Sequence, residues 1–168
     1  MRIIRPATET DLPDLMQLFA EARKFMAETG NPTQWAGGYP SEAQLRADQA
    51  DGHSYVCEED GVLLGTFFFA IEDDPTYRVI YDGQWLRDAP YGVIHRIAVR
   101  SHQKGVATFC VAWCASQCAR QPGTDLRVDT HRDNVVMQRF LKKNGFVPCG
   151  IIHLANGAER IAFQRIAE

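Results

Sequence analysis

A chain of 168 residues, 45% apolar and 23% charged, suits one core of ordinary size and is too apolar for a disordered segment. Its formal net charge of −3, from 18 basic and 21 acidic residues with no long basic run, argues against a nucleic-acid surface. The apolar stretch "GVLLGTFFFAI" falls short of the roughly 18 residues of a membrane span, so no membrane partner is expected.

The opening "MRIIRPAT" alternates apolar residues and predicts a short strand. It lacks the apolar core and cleavage site of a secretory signal, which makes the cytoplasm the expected compartment. Thr8, with Asp11 three residues on, offers an N-cap to a helix carrying Leu12, Leu15, Phe19 and Ala22, ending near Glu28 before Gly30. "NPTQWAGGYP" is a loop that carries Trp35 and Tyr39. Ser41 and Gln44 cap a second helix running to about Ala50.

"SYVCEEDGVLLGTFFFAIE" predicts two strands joined by a tight turn at Glu59, Asp60 and Gly61. Residues 73–90 form a long connection holding Tyr77, Tyr81 and Trp85, and loops of that length are often functional. A strand over 92–99 follows, then a polar loop and a helix from about Gly105 to Gln121. "LRVDTH" predicts a strand and "DNVVMQRFLKKNG" a helix closed by Gly145. "FVPCGIIHL" and "ERIAFQRI" predict a final antiparallel pair around "ANG". The order β α α β β β α β α β β implies an α/β domain spanning 1–168, one mixed sheet flanked by helices.

Cys110, Cys114 and Cys118 fall on one face of the third helix, as small buried thiols do. Without a nearby histidine they predict no metal site. Arg96, Arg100, His102, Lys104, Arg139, Lys142 and Lys143 flank the polar loop and the last helix. They suit either a solvated surface or a seat for an anionic ligand.

The junction "VIHRIAVRSHQKGVATFC" carries most of the functional information. A helix start leaves backbone N–H groups unpaired and carries partial positive charge. Where glycine and alanine stand there, a phosphate can lie against the amides. His102, Gln103, Lys104, Gly105, Val106, Ala107 and Thr108 would build such a cradle, although the stretch matches neither the Walker loop nor the dinucleotide fingerprint.

"IAVRSHQKGVA" resembles the core motif of the GCN5-related N-acetyltransferases (GNAT), a strand ending in a loop of form [RQ]-x-x-G-x-[GA]; His102 departs from the usual Arg or Gln. "NVVMQRFLKKNGF" resembles the family's second signature through Asn134, Lys143, Gly145 and Phe146. Met137 replaces its alanine and Leu141 stands where tyrosine is common. The resemblance implies a single GNAT-like domain with a central mixed, mostly antiparallel sheet. It also implies an acetyltransferase that uses acetyl-CoA as co-substrate. The loop amides would take the pyrophosphate, and the backbone of Ile97, Ala98 and Val99 would pair with the pantetheine arm like an added strand. Asn134 would touch that arm or the sulfur end, or serve simply as a helix N-cap.

An amine attacks a thioester only when neutral, so a primary amine of pKa about 10 must first lose a proton. In the family a strand N–H near Ile97 receives the developing negative charge. Leu141 removes the usual general acid, but a thiolate of pKa roughly 8.5 leaves readily without one. His95 and Glu72 are the base candidates. Each has a plain alternative, a hydrogen-bonded core histidine and a solvated strand end, and loss of the proton through water is equally compatible. Trp35, Tyr39, Tyr77, Tyr81 and Trp85 would line an acceptor cleft for an apolar or cationic amine, or simply pack on the sheet. The expected partner is a small-molecule amine, and a homodimer is allowed. A non-catalytic acyl-CoA-binding regulatory module is the alternative reading.

Overall fold

The computed structural model describes residues 1–101 and 103–168, so His102 of the expected cradle lies outside the described residues. The elements are β1 (Arg2–Pro6), α1 (Leu12–Glu28), α2 (Glu42–Ala50), β2 (Ser54–Glu59), β3 (Val62–Ile71), β4 (Tyr91–Val99), α3 (Val106–Cys118), β5 (Asp125–Thr130), α4 (Val135–Lys143), β6 (Val147–His153) and β7 (Glu159–Arg165). The strands run β1-β2-β3-β4-β5-β7-β6 in one sheet. The β1–β2, β2–β3, β5–β7 and β6–β7 pairings are antiparallel, and β4–β5 is parallel. This is the mixed sheet that the element order implies, mostly antiparallel as the family resemblance implies. No helix among the described residues is long and apolar enough to cross a membrane.

The backbone clusters into two units, Met1–Phe69 with His95–Trp113, and Ala70–Ile94 with Cys114–Glu168. In the first, the Asp11 carboxylate accepts the Thr8 N–H at 2.7 Å and ends a short 3-10 turn that delivers the chain into α1. Pro13 sits in the first turn of α1, where a missing N–H costs nothing. The 3.6-residue period then puts Leu12, Leu15, Leu18 and Phe19 on one buried face against Leu45, Val56, Leu63 and Ala98. Each such side chain contributes about 2 kcal/mol by leaving water. The β2–β3 turn carries Asp60 and Gly61 at positive φ, as a two-residue hairpin loop requires. Trp113 of α3 packs against Tyr55, Phe67 and Phe69, with ring centroids 4.7, 5.8 and 5.8 Å away.

In the second unit, Tyr77, Tyr91, Val93, Ile152 and Ala162 form the core. The 73–90 connection holds one 3-10 turn, Pro75–Tyr77, and is tied down by its aromatic residues. β4 pairs with β5 through Tyr91, Gly92 and Val93. Asp125, whose side chain has no exposed surface, accepts from Arg87 Nη2 at 2.6 Å, Gln164 Nε2 at 2.9 Å and the Ala167 N–H at 2.8 Å.

All five cysteines are buried. Burial pushes the Cys114 thiol well up and that of Cys118 to about 11, which suits packing rather than reactivity. No cluster of His, Cys, Asp or Glu among the described residues could hold a metal ion.

Candidate active site

β4 ends at Val99 and α3 begins at Val106. Gly105 takes φ 76, a left-handed turn that a side chain enters only under strain. The Phe109 N–H donates to the Gly105 carbonyl at 3.0 Å, so the amides ahead of it have no partner within the helix. Gln103, Lys104, Gly105 and Thr108 are exposed, Ala107 is half-buried, and Val106 roots the junction in the core. Arg2 of β1 steadies the loop: its Nη1 donates to the Lys104 carbonyl at 3.1 Å and its Nε to Glu59 at 3.3 Å. Sequence patterning gave no hint of that strut, because its ends lie 102 residues apart.

Along β4, Ala98 is buried while Ile97 and Val99 are half-buried. Arg96 interrupts the strand with φ 49, a left-handed conformation that costs a non-glycine residue roughly 1–2 kcal/mol. Its guanidinium is held on several sides. Nε and Nη2 donate to the two oxygens of Asp48 at 2.8 and 2.9 Å, and Nη1 donates to the Tyr39 hydroxyl at 3.1 Å. The same group lies 4.9 Å from the Phe68 ring centre. Side-chain exposures of 13% for Arg96 and 7% for Asp48 make this a buried, bidentate pair, and removing one partner of such a pair costs about 3–5 kcal/mol.

Two of the basic residues offered as an anion seat are thereby committed elsewhere. Arg96 belongs to Asp48, and Arg100 donates to the Leu63 carbonyl at 2.6 Å and lies 3.7 Å from the Glu21 carboxylate. Lys104, Arg139, Lys142 and Lys143 are exposed.

His95 is half-buried on β4, with its ring 5.5 Å from that of Phe68. Glu72 follows the last residue of β3 and is exposed. The first unit thus contains His95, Ile97–Val99, the cradle, Trp35 and Tyr39, whereas Glu72, Asn134, Tyr77, Tyr81 and Trp85 belong to the second. Asn134 caps α4, its Oδ1 accepting the Met137 N–H at 3.0 Å. Leu141 is fully buried in α4.

The five aromatic residues divide sharply. Trp35 packs edge-on to Phe19, 5.6 Å between centroids, on the rim of the first core. Tyr39 stays 39% exposed, tied through its hydroxyl to Arg96 and through its carbonyl to Arg23. Tyr77 is 1% exposed, and its hydroxyl donates to Asp129 at 2.6 Å. It is a core side chain of the second unit. Burial, first of all, pushes its phenol well above the ordinary range. Trp85 donates from Nε1 to the Tyr77 carbonyl and stacks with Arg127, whose guanidinium lies 3.9 Å from its ring centre and 4.1 Å from that of Tyr91. Tyr81 is exposed and stacks on His153, 4.5 Å between centroids. A cavity of about 470 Å³, lined in part by Ala115, Cys118, Leu126 and Arg165, holds none of the nominated residues.

Residues 12–146 match the model of the acetyltransferase (GNAT) family. A search of curated proteins gives no match. Among solved structures, a GNAT-family acetyltransferase from Streptococcus agalactiae 2603 is 34% identical, with 99% of this chain and 96% of that one covered and a TM-score of 0.87. The ribosomal-protein-S18-alanine N-acetyltransferase from Escherichia coli shares the fold at 16% identity, covering 100% of this chain and 95% of that one, with TM-score 0.62. Arabidopsis thaliana Naa50, in complex with the bisubstrate analogue CoA-Ac-MVNAL, shares it at 14% identity, covering 98% and 97%, with TM-score 0.63.

Proposed function

The chain belongs to the acetyltransferase (GNAT) family, an acyltransferase class, and from that membership we propose that it moves the acetyl group of acetyl-CoA onto a primary amine of a small molecule. The observation that carries the reading is the β4–α3 junction. Gly105, at φ 76 and without a Cβ, opens the amides of Gly105, Val106, Ala107 and Thr108 at an exposed helix start, and this suits a pyrophosphate. Acetyl-CoA, when bound, supplies the activated acyl group.

The residues of this chain then hold and orient the reactants. Ile97, Ala98 and Val99 offer a strand edge to the pantetheine arm, and the N–H near Ile97 stands ready for the negative charge that develops on the carbonyl oxygen. His95 takes a proton from the substrate ammonium, the neutral amine then forms the N–C bond, and its second proton passes to water as the C–S bond breaks. The thiolate leaves and is protonated by water, which suits a buried leucine at position 141. Tyr39, exposed and fixed to β4 through Arg96, is a wall for the acceptor.

A thermal scan with acetyl-CoA, NAD and ATP tests the cofactor: only acetyl-CoA should raise the melting temperature, by mass action on the native state. Thiol release with a panel of small amines and short peptides then tests the reaction. Turnover with small amines is expected to exceed that with peptides. No shift at millimolar acetyl-CoA defeats the reading. A second reading, a non-catalytic acyl-CoA-binding module, draws on Leu141, which has no proton to give. It predicts the shift without thiol release.

A further inference from the structure

The mid-strand arginine needs a physical account. A left-handed residue inside a strand breaks the two-residue alternation, so the peptide that follows is turned away from the ladder direction. Here that peptide joins Arg96 to Ile97, next to His95. Arginine has no intrinsic liking for this conformation, and nothing local in "IHRIAV" supplies one. What holds it is remote. Asp48 of α2 engages both Nε and Nη2, and Gln44 Nε2 donates to the Asp48 Oδ1 at 3.0 Å, so the acceptor of the arginine is itself oriented. The Tyr39 hydroxyl and the Phe68 ring flank the guanidinium.

We propose that Arg96 is a positioning residue, clamped by Asp48 so that β4 keeps its left-handed kink and the Ile97 amide keeps the direction in which it serves the reaction. The clamp also ties the loop bearing Tyr39 to the same kink, so acceptor wall and strand are set by one side chain. This rests on the acetyltransferase reading above; the geometry of the clamp does not.

The experiment compares Arg96→Ala with Arg96→Gly, because glycine keeps the left-handed conformation without needing the clamp. Crystal structures of both variants give the φ of residue 96, and steady-state kinetics with acetyl-CoA binding give the function. In Arg96→Ala, residue 96 should leave the left-handed region and kcat should fall at least tenfold, while the acetyl-CoA Kd stays within threefold. In Arg96→Gly the kink should persist and most of the lost kcat should return. An alanine variant that keeps φ near that of the wild type, or alanine and glycine variants equally impaired, overturns the proposal. Should Arg96→Ala not fold, Asp48→Asn replaces it: a wild-type kcat with an unaltered kink there is likewise fatal. If the wild type itself turns over no amine, it is the acetyltransferase reading that has failed, and the φ values alone decide whether the clamp holds the strand.

Discussion

Gly65 of β3 makes room for Val106, the first residue of α3. A Cβ on Gly65 would lie 3.1 Å from the Val106 Cγ1, 3.1 Å from the Ala98 carbonyl oxygen and 3.2 Å from the Val99 Cγ1. Two of those neighbours are the strand end and the helix start that frame the cradle. Gly65→Ala is therefore expected to lower stability by about 1–2 kcal/mol, as overpacking does. It should also weaken acetyl-CoA binding several-fold by shifting Val106. Urea midpoints and calorimetric titration measure the two effects. A variant indistinguishable from wild type in both would mean that the junction yields freely.

Gly105→Val tests the cradle itself. Valine at φ 76 is strained, and its Cβ would sit 3.4 Å from the Arg2 Nη1, in ordinary contact. The damage thus comes first from backbone strain that turns the amides aside, of about 1–2 kcal/mol, and less from a filled space. The thermal shift on adding acetyl-CoA should vanish, and Gly105→Asn, which tolerates left-handed φ better, should keep more stability than valine. Full acetyl-CoA stabilisation of the valine variant would argue that the phosphates bind elsewhere.

Asp11 sets an acid limit on stability. Hydrogen bonding from Arg5 (Nη1 and Nη2 at 2.8 and 2.9 Å), opposed by burial and reinforced by Thr8, lowers its carboxyl to about 2. The folded pKa lies below the unfolded value of about 3.9, so the stabilisation is complete above pH ~4 and is lost as pH falls toward about 2. With Arg5 a third exposed, a contribution of about 1–2 kcal/mol is expected. Asp11→Asn should lose that amount at neutral pH and show a flatter acid limb in denaturation midpoints taken from pH 7 to pH 2. An Asn variant with the wild-type acid slope would assign the limb to other carboxylates.

His95→Ala should lower kcat by about a hundredfold with acetyl-CoA affinity kept, as loss of a positioned base does. Glu72→Gln, at an exposed position past the end of β3, should stay within about twofold of wild type. Equal, small effects from both substitutions would leave the proton to water and the amine's own pKa.

Local chemistry made most of the fold legible in the sequence. The Ser41 cap accepts the Gln44 N–H at 3.1 Å, Asn134 caps α4, and Asp60 with Gly61 closes the hairpin, because each signal acts within a few residues. Gly105 was legible for the same reason. Tyr77 stays ambiguous in the sequence because an aromatic residue in a long connection reads alike whether it lines a cleft or fills a core. Its Asp129 partner lies 52 residues away. Arg96 looked like one cation among several, since Asp48 is 48 residues distant and no local pattern announces a left-handed arginine. Pairings across such separations are created by the fold and leave no periodicity to read.

Trp113 stands seven residues after the first residue of α3, wedged among Tyr55, Phe67 and Phe69, so the helix that presents the amides carries its own fluorophore. With Trp35 and Trp85 replaced by phenylalanine, its emission becomes a single-site optical gauge of how α3 is seated. Loading of the cradle could then be followed in a stopped-flow cuvette without a label and without turnover.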